Sequence, residues 1–262
     1  MARRRPKQAD VLVGAIKRWI VEADLKPGSA LPNEAELQRL FAMSKGTVRE
    51  ALKALEAQGL VSIRTGPKGG ATLTAVSFER TFQLLANHWF FQAVDLDQVY
   101  ALRRLLEPEM AAQAAAGLSD ADLALLDANL ATAHDGTLSP AAHGAADLAF
   151  HDILADACPN VLLGLQCRVL NETLRRQVAI SGGLSELQAL NHDNIAAHDG
   201  LMDALRRRDG ERTRALMAAH IAQAEAQVRR IGAAYRRSLM LDENVDALAR
   251  LAALGALGPP AS

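Results

Sequence analysis

Leu31-Pro32-Asn33-Glu34-Ala35-Glu36-Leu37, followed by Ser44-Lys45-Gly46-Thr47-Val48-Arg49-Glu50-Ala51-Leu52, decides how the N-terminal part of the chain folds. Asn33 with Glu36 three residues on is a capping-box signature, opening a short helix to about Phe41. Ser44 is a good N-cap for a second helix over 45–58, which stops at Gly59. Upstream, residues 10–23 place apolar side chains at 12, 13, 16, 19, 20 and 23, a helical stripe. Leu25-Lys26-Pro27-Gly28 then breaks that helix. Downstream, Leu60–Arg64 and Ala71–Thr74 flank a Gly/Pro-rich tip and read as a β-hairpin.

Three helices and a hairpin in this order predict a winged helix-turn-helix, which lays one helix in a DNA major groove. On the 45–58 helix, Lys45, Thr47 and Arg49 fall near the N-terminus and would face bases and phosphates. Val48, Ala51, Leu52 and Leu55 would pack inward. Arg49 can donate a two-pronged bond to a guanine edge, worth roughly 1–3 kcal/mol of discrimination. Backbone amides and the Ser44 and Thr47 hydroxyls can reach phosphates. The wing tip is slim at Gly66 and suits a minor groove, with Lys68 near the DNA backbone. Charge agrees: residues 1–76 carry a net +6 and the remainder a net −7, within an overall −1. A basic head on an acidic body fits a phosphate-binding module fused to a domain of another kind.

From Ser77 onward strand signals vanish. Ala/Leu-rich helical segments are punctuated at Asp95, Gly117–Ser119, Asp135–Pro140, Pro159, Ser181–Gly183 and Asp209-Gly210. The expectation is a mainly α protein whose body is an antiparallel bundle of six or seven helices. Pro108 lies inside a helical pattern and is expected to kink it. The boundaries read as a DNA-binding domain over 1–76, a ligand-binding and dimerisation domain over 77–240, and a C-terminal helix and tail over 241–262.

Within the body, Asp147 and His151 are four apart and share a helix face. His198 lies near the middle of another helix, and His220 on the next. One carboxylate and three imidazoles suit a divalent transition metal such as Zn, Ni or Mn, with positions left open for a ligand. Packed or capped histidines are the structural alternative. Arg103 could pair with a bound acid as a charge-assisted fork. Asn194, one turn before His198, could hydrogen-bond a hydroxyl of the bound molecule, and Arg175 is a further candidate.

The quoted N-terminal motifs, with Leu55, Glu56, Gly59-Leu60-Val61 and a glycine-rich wing, resemble the GntR family of bacterial regulators over about residues 10–75. That resemblance implies Arg49 as the base-reading arginine, Ser44, Lys45 and Thr47 as its neighbours on DNA, and Gly66 as the wing contact. Two departures alter the expected operator: Ala35 and Lys45 stand where many members have Arg, and Lys cannot make the planar fork of Arg. In the body, Leu102-Arg103-Arg104-x-Leu106-Glu107, Asp147-x-x-x-His151, His198-x-x-Leu201-x-x-Ala204-Leu205-x-x-x-Asp209 and Ala215-x-x-x-x-His220 are similar to the FCD-type effector domain of the FadR subfamily. In metal-binding members the matching Asp and three His hold the ion. The resemblance also implies a small organic or sugar acid as effector. His88, His134, His143 and His192 fall outside the pattern.

The expected function is therefore a homodimeric, cytoplasmic transcription regulator, a repressor, that binds double-stranded operator DNA and is not an enzyme. Dimerisation follows from two recognition helices reading a palindrome about one DNA turn apart. A metal-dependent enzyme using the same donors, or the same regulator with a metal-free pocket, are the alternatives. Cys158 and Cys167 fit neither a disulfide framework nor a zinc-ribbon spacing. The basic N-terminus lacks an apolar segment behind it, and no run of about 18 apolar residues predicts a membrane span.

Overall fold

The computed structural model describes residues 7–64, 66, 69–92, 94–181 and 184–231, with side chains other than those of 140, 141, 177–193, 230 and 231. Lys68, the side chain of His192 and the 241–262 tail lie outside it. The chain divides into two compact units, Met1–Leu84 and Leu85–Ser262.

The first unit contains α1 (Gln8–Glu22), α2 (Glu34–Phe41), α3 (Lys45–Ala57), β1 (Val61–Arg64) and β2 (Gly70–Leu73). Asn33 closes the expected capping box: its side chain accepts from the Glu36 amide at 3.0 Å, and its own amide donates to Glu36 Oε2 at 2.8 Å. Ser44 Oγ accepts from the Thr47 amide at 3.2 Å and so starts α3. With both starts fixed, Leu12 and Ile16 of α1, Leu37 of α2, and Val48, Leu52 and Leu55 of α3 meet in one buried cluster. Val61, Ala71 and Leu73 close it from the hairpin, in an antiparallel register that pairs Val61 with Leu73 and Arg64 with Gly70. The outer edge of β2 is also covered. Leu31 N donates to Ala71 O, Gly28 N to Leu73 O, and Leu73 N to Ser29 O, all at 2.8 Å. The Lys26–Leu31 connection thus acts as a third, irregular strand that anchors the wing.

Helix α4 (Phe78–Gln92) contains the division between the units. The second unit continues with α5 (Leu96–Gly117), α6 (Asp120–Ala133), α7 (Pro140–Ala157), α8 (Val161–Ser181), α9 (Leu184–Arg206) and α10 (Gly210–Ile231). Each break falls at a predicted signal. Asp95 and Ser119 form capping boxes with Gln98 and Asp122, and Pro140 opens α7 at its first position. Pro108 lies inside α5 without ending it. In this unit α5 packs on α10 and α8, and α7 packs on α8, α6 and α9. Met110, Phe150, Leu154, Leu201 and Leu205 fill the interior.

The α7/α8 packing depends on Gly164. A Cβ there would run into the carbonyl oxygen of Ala155, a backbone atom that no rotamer change can move aside. Gly164→Ala is expected to destabilise the protein by roughly 1–3 kcal/mol through overpacking, read as a lowered thermal midpoint.

Candidate functional site

On the head, α3 is buried along Val48, Ala51, Leu52 and Leu55 and offers Lys45, Thr47 and Arg49 on its exposed side. Arg49 is held in advance of any partner. Its Nε donates to both carboxylate oxygens of Glu34 on α2, at 3.1 and 2.9 Å. The arginine thus pairs through Nε, leaving its Nη atoms for a planar partner. Restricting the side chain beforehand lowers the entropy lost on binding. Ser44 Oγ lies 2.9 Å from Thr47 Oγ1 and also caps the helix, so both hydroxyls are oriented at its N-terminus. Gly66, at the wing tip, has φ +112° and nothing within 4 Å of where a Cβ would sit. Only glycine adopts that backbone freely, and the tip stays slim.

In the bundle, α7, α9 and α10 bring Asp147, His151, His198 and His220 together, with one donor atom of each within 4.8 Å of the others. His220 Nε2 lies 3.1 Å from His151 Nε2 and 3.3 Å from His198 Nε2. Asp147 Oδ1 is 3.6 Å from His198 Nε2. The three imidazoles are no more than 2% exposed. Phe150 stacks on His198 at 4.1 Å between centroids, 10° from parallel, and fixes that ring's plane.

Behind the cluster stands a carboxylate that the spacing argument left without a role. Glu107, one turn after Arg103 on α5, is fully buried and places Oε2 2.6 Å from His151 Nδ1. Arg103 clamps the same carboxylate with Nε and with Nη2, the latter at 3.2 Å. Burial works to raise the Glu107 pKa, but Arg103 and His151 overcome it and hold the group at about 2. An ionised Glu107 can only accept, so its place beside His151 Nδ1 favours the tautomer that leaves the Nε2 lone pair toward the cluster. Burial pushes His198 and His220 well below the ordinary 6.5, reinforced by the neighbouring histidines. Both are therefore neutral near pH 7, the form that binds metals.

A divalent ion fits this arrangement. One proton on His220 Nε2 could serve only one of its two neighbours, and His220 Nδ1 has no hydrogen-bond partner to compensate. Asp147 Oδ1 is likewise buried without a hydrogen bond. Donors about 2.0–2.1 Å from a shared zinc-type ion stand roughly 3 Å apart, close to the imidazole spacings here. A small pocket opens beside these donors, lined by Ala133, His143, Asp147, Asn194, Ile195 and His198. Of the three residues expected to meet an effector, Asn194 lines it. Arg103 and Arg175 do not: Arg103 is engaged by Glu107, and Arg175 by Glu172 and by Asp152 at 2.5 Å. His143 does line the pocket. Its signal was the four-residue step His143, Asp147, His151, which places all three on one face of α7.

Comparison with known proteins agrees with both halves. Residues 8–69 match the bacterial regulatory proteins of the gntR family, and residues 98–223 match the FCD domain. The transcriptional regulator LutR of Bacillus subtilis (strain 168) is 32% identical over 216 residues, 79% of this chain and 94% of that protein. The chain belongs to the GntR family. The galactonate operon transcriptional repressor of Escherichia coli (strain K12) is another relative of this GntR-family member, 25% identical over 218 residues, 78% of this chain and 89% of the relative. The structure of Streptococcus agalactiae GntR shares the fold at a TM-score of 0.58 and 23% identity, covering 83% of this chain and 99% of that one. As a GntR-family regulator with an FCD domain, the protein is a DNA-binding transcription factor rather than an enzyme, and the four clustered donors all fall inside the FCD match.

Glu107 is the residue on which this arrangement is most sensitive. Glu107→Ala leaves Arg103 buried and uncompensated, with an expected cost of roughly 3–5 kcal/mol, measured by urea unfolding. Because the folded pKa of Glu107 is depressed from 4.5 to about 2, its contribution is present above the ordinary carboxylate range. That contribution is lost as pH falls toward 2, so acid should flatten the difference between wild type and Glu107→Gln.

Proposed function

We propose that this GntR-family regulator is a homodimeric cytoplasmic repressor whose hold on operator DNA is set by a small organic or sugar acid at a divalent metal in the FCD domain. The convergence of Asp147, His151, His198 and His220 beside a pocket carries the proposal. These four side chains would hold the ion, which is Zn, Ni or Mn on donor type. When bound, it supplies a cationic point for a carboxylate, a role no lysine or arginine among the pocket-lining residues fills. Asn194 contacts the acid. Arg103 acts one step back by keeping Glu107 charged, and an acid reaching Arg175 would have to compete with Asp152 and Glu172.

On DNA, Arg49 reads a base edge with its free Nη atoms while Glu34 holds its Nε. Ser44, Lys45 and Thr47 contact phosphates and neighbouring bases, and Gly66 lets the wing enter the minor groove with Lys68 beside it. Two recognition helices must meet successive turns of the duplex, so the working unit is a dimer. Regulation requires that the acid favour one arrangement of the paired heads over the other. A cytoplasmic location follows from this use of DNA. Among the described residues no helix is long and apolar enough to cross a membrane.

Gel-shift titrations, with elemental analysis of the untagged protein, test the reading. Arg49→Ala is expected to remove operator preference, losing roughly 1–3 kcal/mol of discrimination, with the helical circular-dichroism signal unchanged. His198→Ala is expected to keep DNA binding, lose the metal and blunt the response to acids. Operator selectivity that survived Arg49→Ala would show that another helix reads the bases. A metal-free protein that still responded to acids would transfer the sensing role to the histidines themselves.

A further inference from the structure

The C-terminal end of α3, opposite the one that carries Lys45 and Arg49, is closed by the start of α4. Gly59 ends α3 in the left-handed region at φ +76° and is buried. A Cβ there would stand 2.9 Å from Arg80 Cδ and 3.5 Å from both Nε and Nη1, so the Arg80 side chain lies across the glycine. The last turn of α3 holds no basic residue of its own. Arg80 therefore brings to that end the positive charge that complements its outward-facing carbonyls. The chain returning from the wing is pinned at the same turn. Thr74 Oγ1 donates to Gly59 O at 2.7 Å, and Thr74 N donates to Leu60 O at 3.0 Å. Just beyond, Ser77 Oγ accepts from the Arg80 amide at 3.3 Å and starts α4. Thr74, Ser77 and Arg80 thus fix α4 to α3 within the first unit, and α4 then crosses into the second.

We propose that Arg80 is a specificity-determining residue for the operator, setting which half-site spacing the protein accepts while Arg49 reads the bases. The inference rests on the dimeric reading of the DNA interface above and names the contact that fixes each head. With dimerisation in the body, the covalent path from each head to its partner runs through α4. A stiff connection holds two binding modules at one separation, whereas a loose one lets them adapt. Two extra base pairs move a half-site by about 7 Å along the duplex and turn it by about 70° around the axis. A head clamped to α4 by Arg80 cannot follow both changes. Arg80 is exposed and stands outside the buried cluster of the head. Its removal therefore leaves α3 with its cap, its core and Arg49, while freeing the head to turn on the Ala75-Val76 connection.

The test begins with selection of randomised duplexes by the full-length protein, which returns the half-site and the preferred spacing. Anisotropy titrations then compare that duplex with ones whose half-sites lie two base pairs closer or farther apart. Wild-type protein is expected to lose roughly tenfold or more in affinity at either altered spacing, and Arg80→Ala roughly threefold or less. Arg80→Lys keeps a stem and a charge over Gly59 and is expected to hold most of the wild-type preference. The bases selected within each half-site should be the same for all three proteins, a result that general loosening of the head would not give. Equal spacing preference in wild type and Arg80→Ala overturns the proposal, as does a lysine variant no better than the alanine one. So does altered base selection by Arg80→Ala, which would place the effect in the fold of α3. Wild-type protein that binds as one chain per duplex removes the dimeric reading, and this inference with it. A wild-type dimer indifferent to spacing removes the inference alone.

Discussion

The sensing domain turns on one buried ion pair, Arg103 with Glu107. A carboxylate inside a helical bundle is stable as an anion only when a cation and hydrogen-bond donors surround it. Arg103 supplies both through its guanidinium, and His151 Nδ1 lies 2.6 Å from the other side of the carboxylate. The consequence reaches past stability. With Nδ1 beside the Glu107 carboxylate, His151 presents Nε2 to His220, which in turn lies against His198. Burial keeps the latter two neutral, and Phe150 fixes the ring of His198. The cluster is thus organised from behind, by an arginine that never reaches it.

A similar logic operates on the head. Glu34 on α2 fixes the guanidinium of Arg49 on α3 by its Nε, as Glu107 fixes His151 by its Nδ1. In both places a carboxylate one layer back contacts the side chain proposed to meet a partner. Such support matters most where a flexible side chain must reach a planar target, since the ordering cost is then met during folding. It also bears on the departures at Ala35 and Lys45. With fewer forked side chains at those positions, the proposed base reading rests more heavily on Arg49.

Much of this was legible from residue order. Asn33 with Glu36, Ser44 and Gly59 marked the helix ends of the head, because capping is a local interaction between residues three or four apart. The breaks at Asp95, Ser119, Pro140 and Asp209-Gly210 marked those of the body for the same reason. The four-residue step from Asp147 to His151 exposed a shared helix face. The roles of Arg103 and Glu107 were not legible in this way. Residues four apart on a helix can pair, but whether Arg103 turns to solvent, to an effector or to Glu107 and His151 depends on α5 packing against α7. The place of His143 was not legible, because only the packing of α7 against α9 sets it at the lining of one pocket with Asn194, on a helix far away in the sequence.

The amino-acid order by itself determined the helices and hairpin of the head, the helix breaks of the body and the set of donors the bundle could gather, since each depends on local periodicity, capping and side-chain chemistry. Tertiary packing alone decided that Arg103 supports the cluster instead of lining the pocket, and that His143 and Asn194 line one pocket. The reason is physical: a hydrogen bond or ion pair between distant helices depends on ångström-level placement of one helix against another, and that placement is set by the whole core at once.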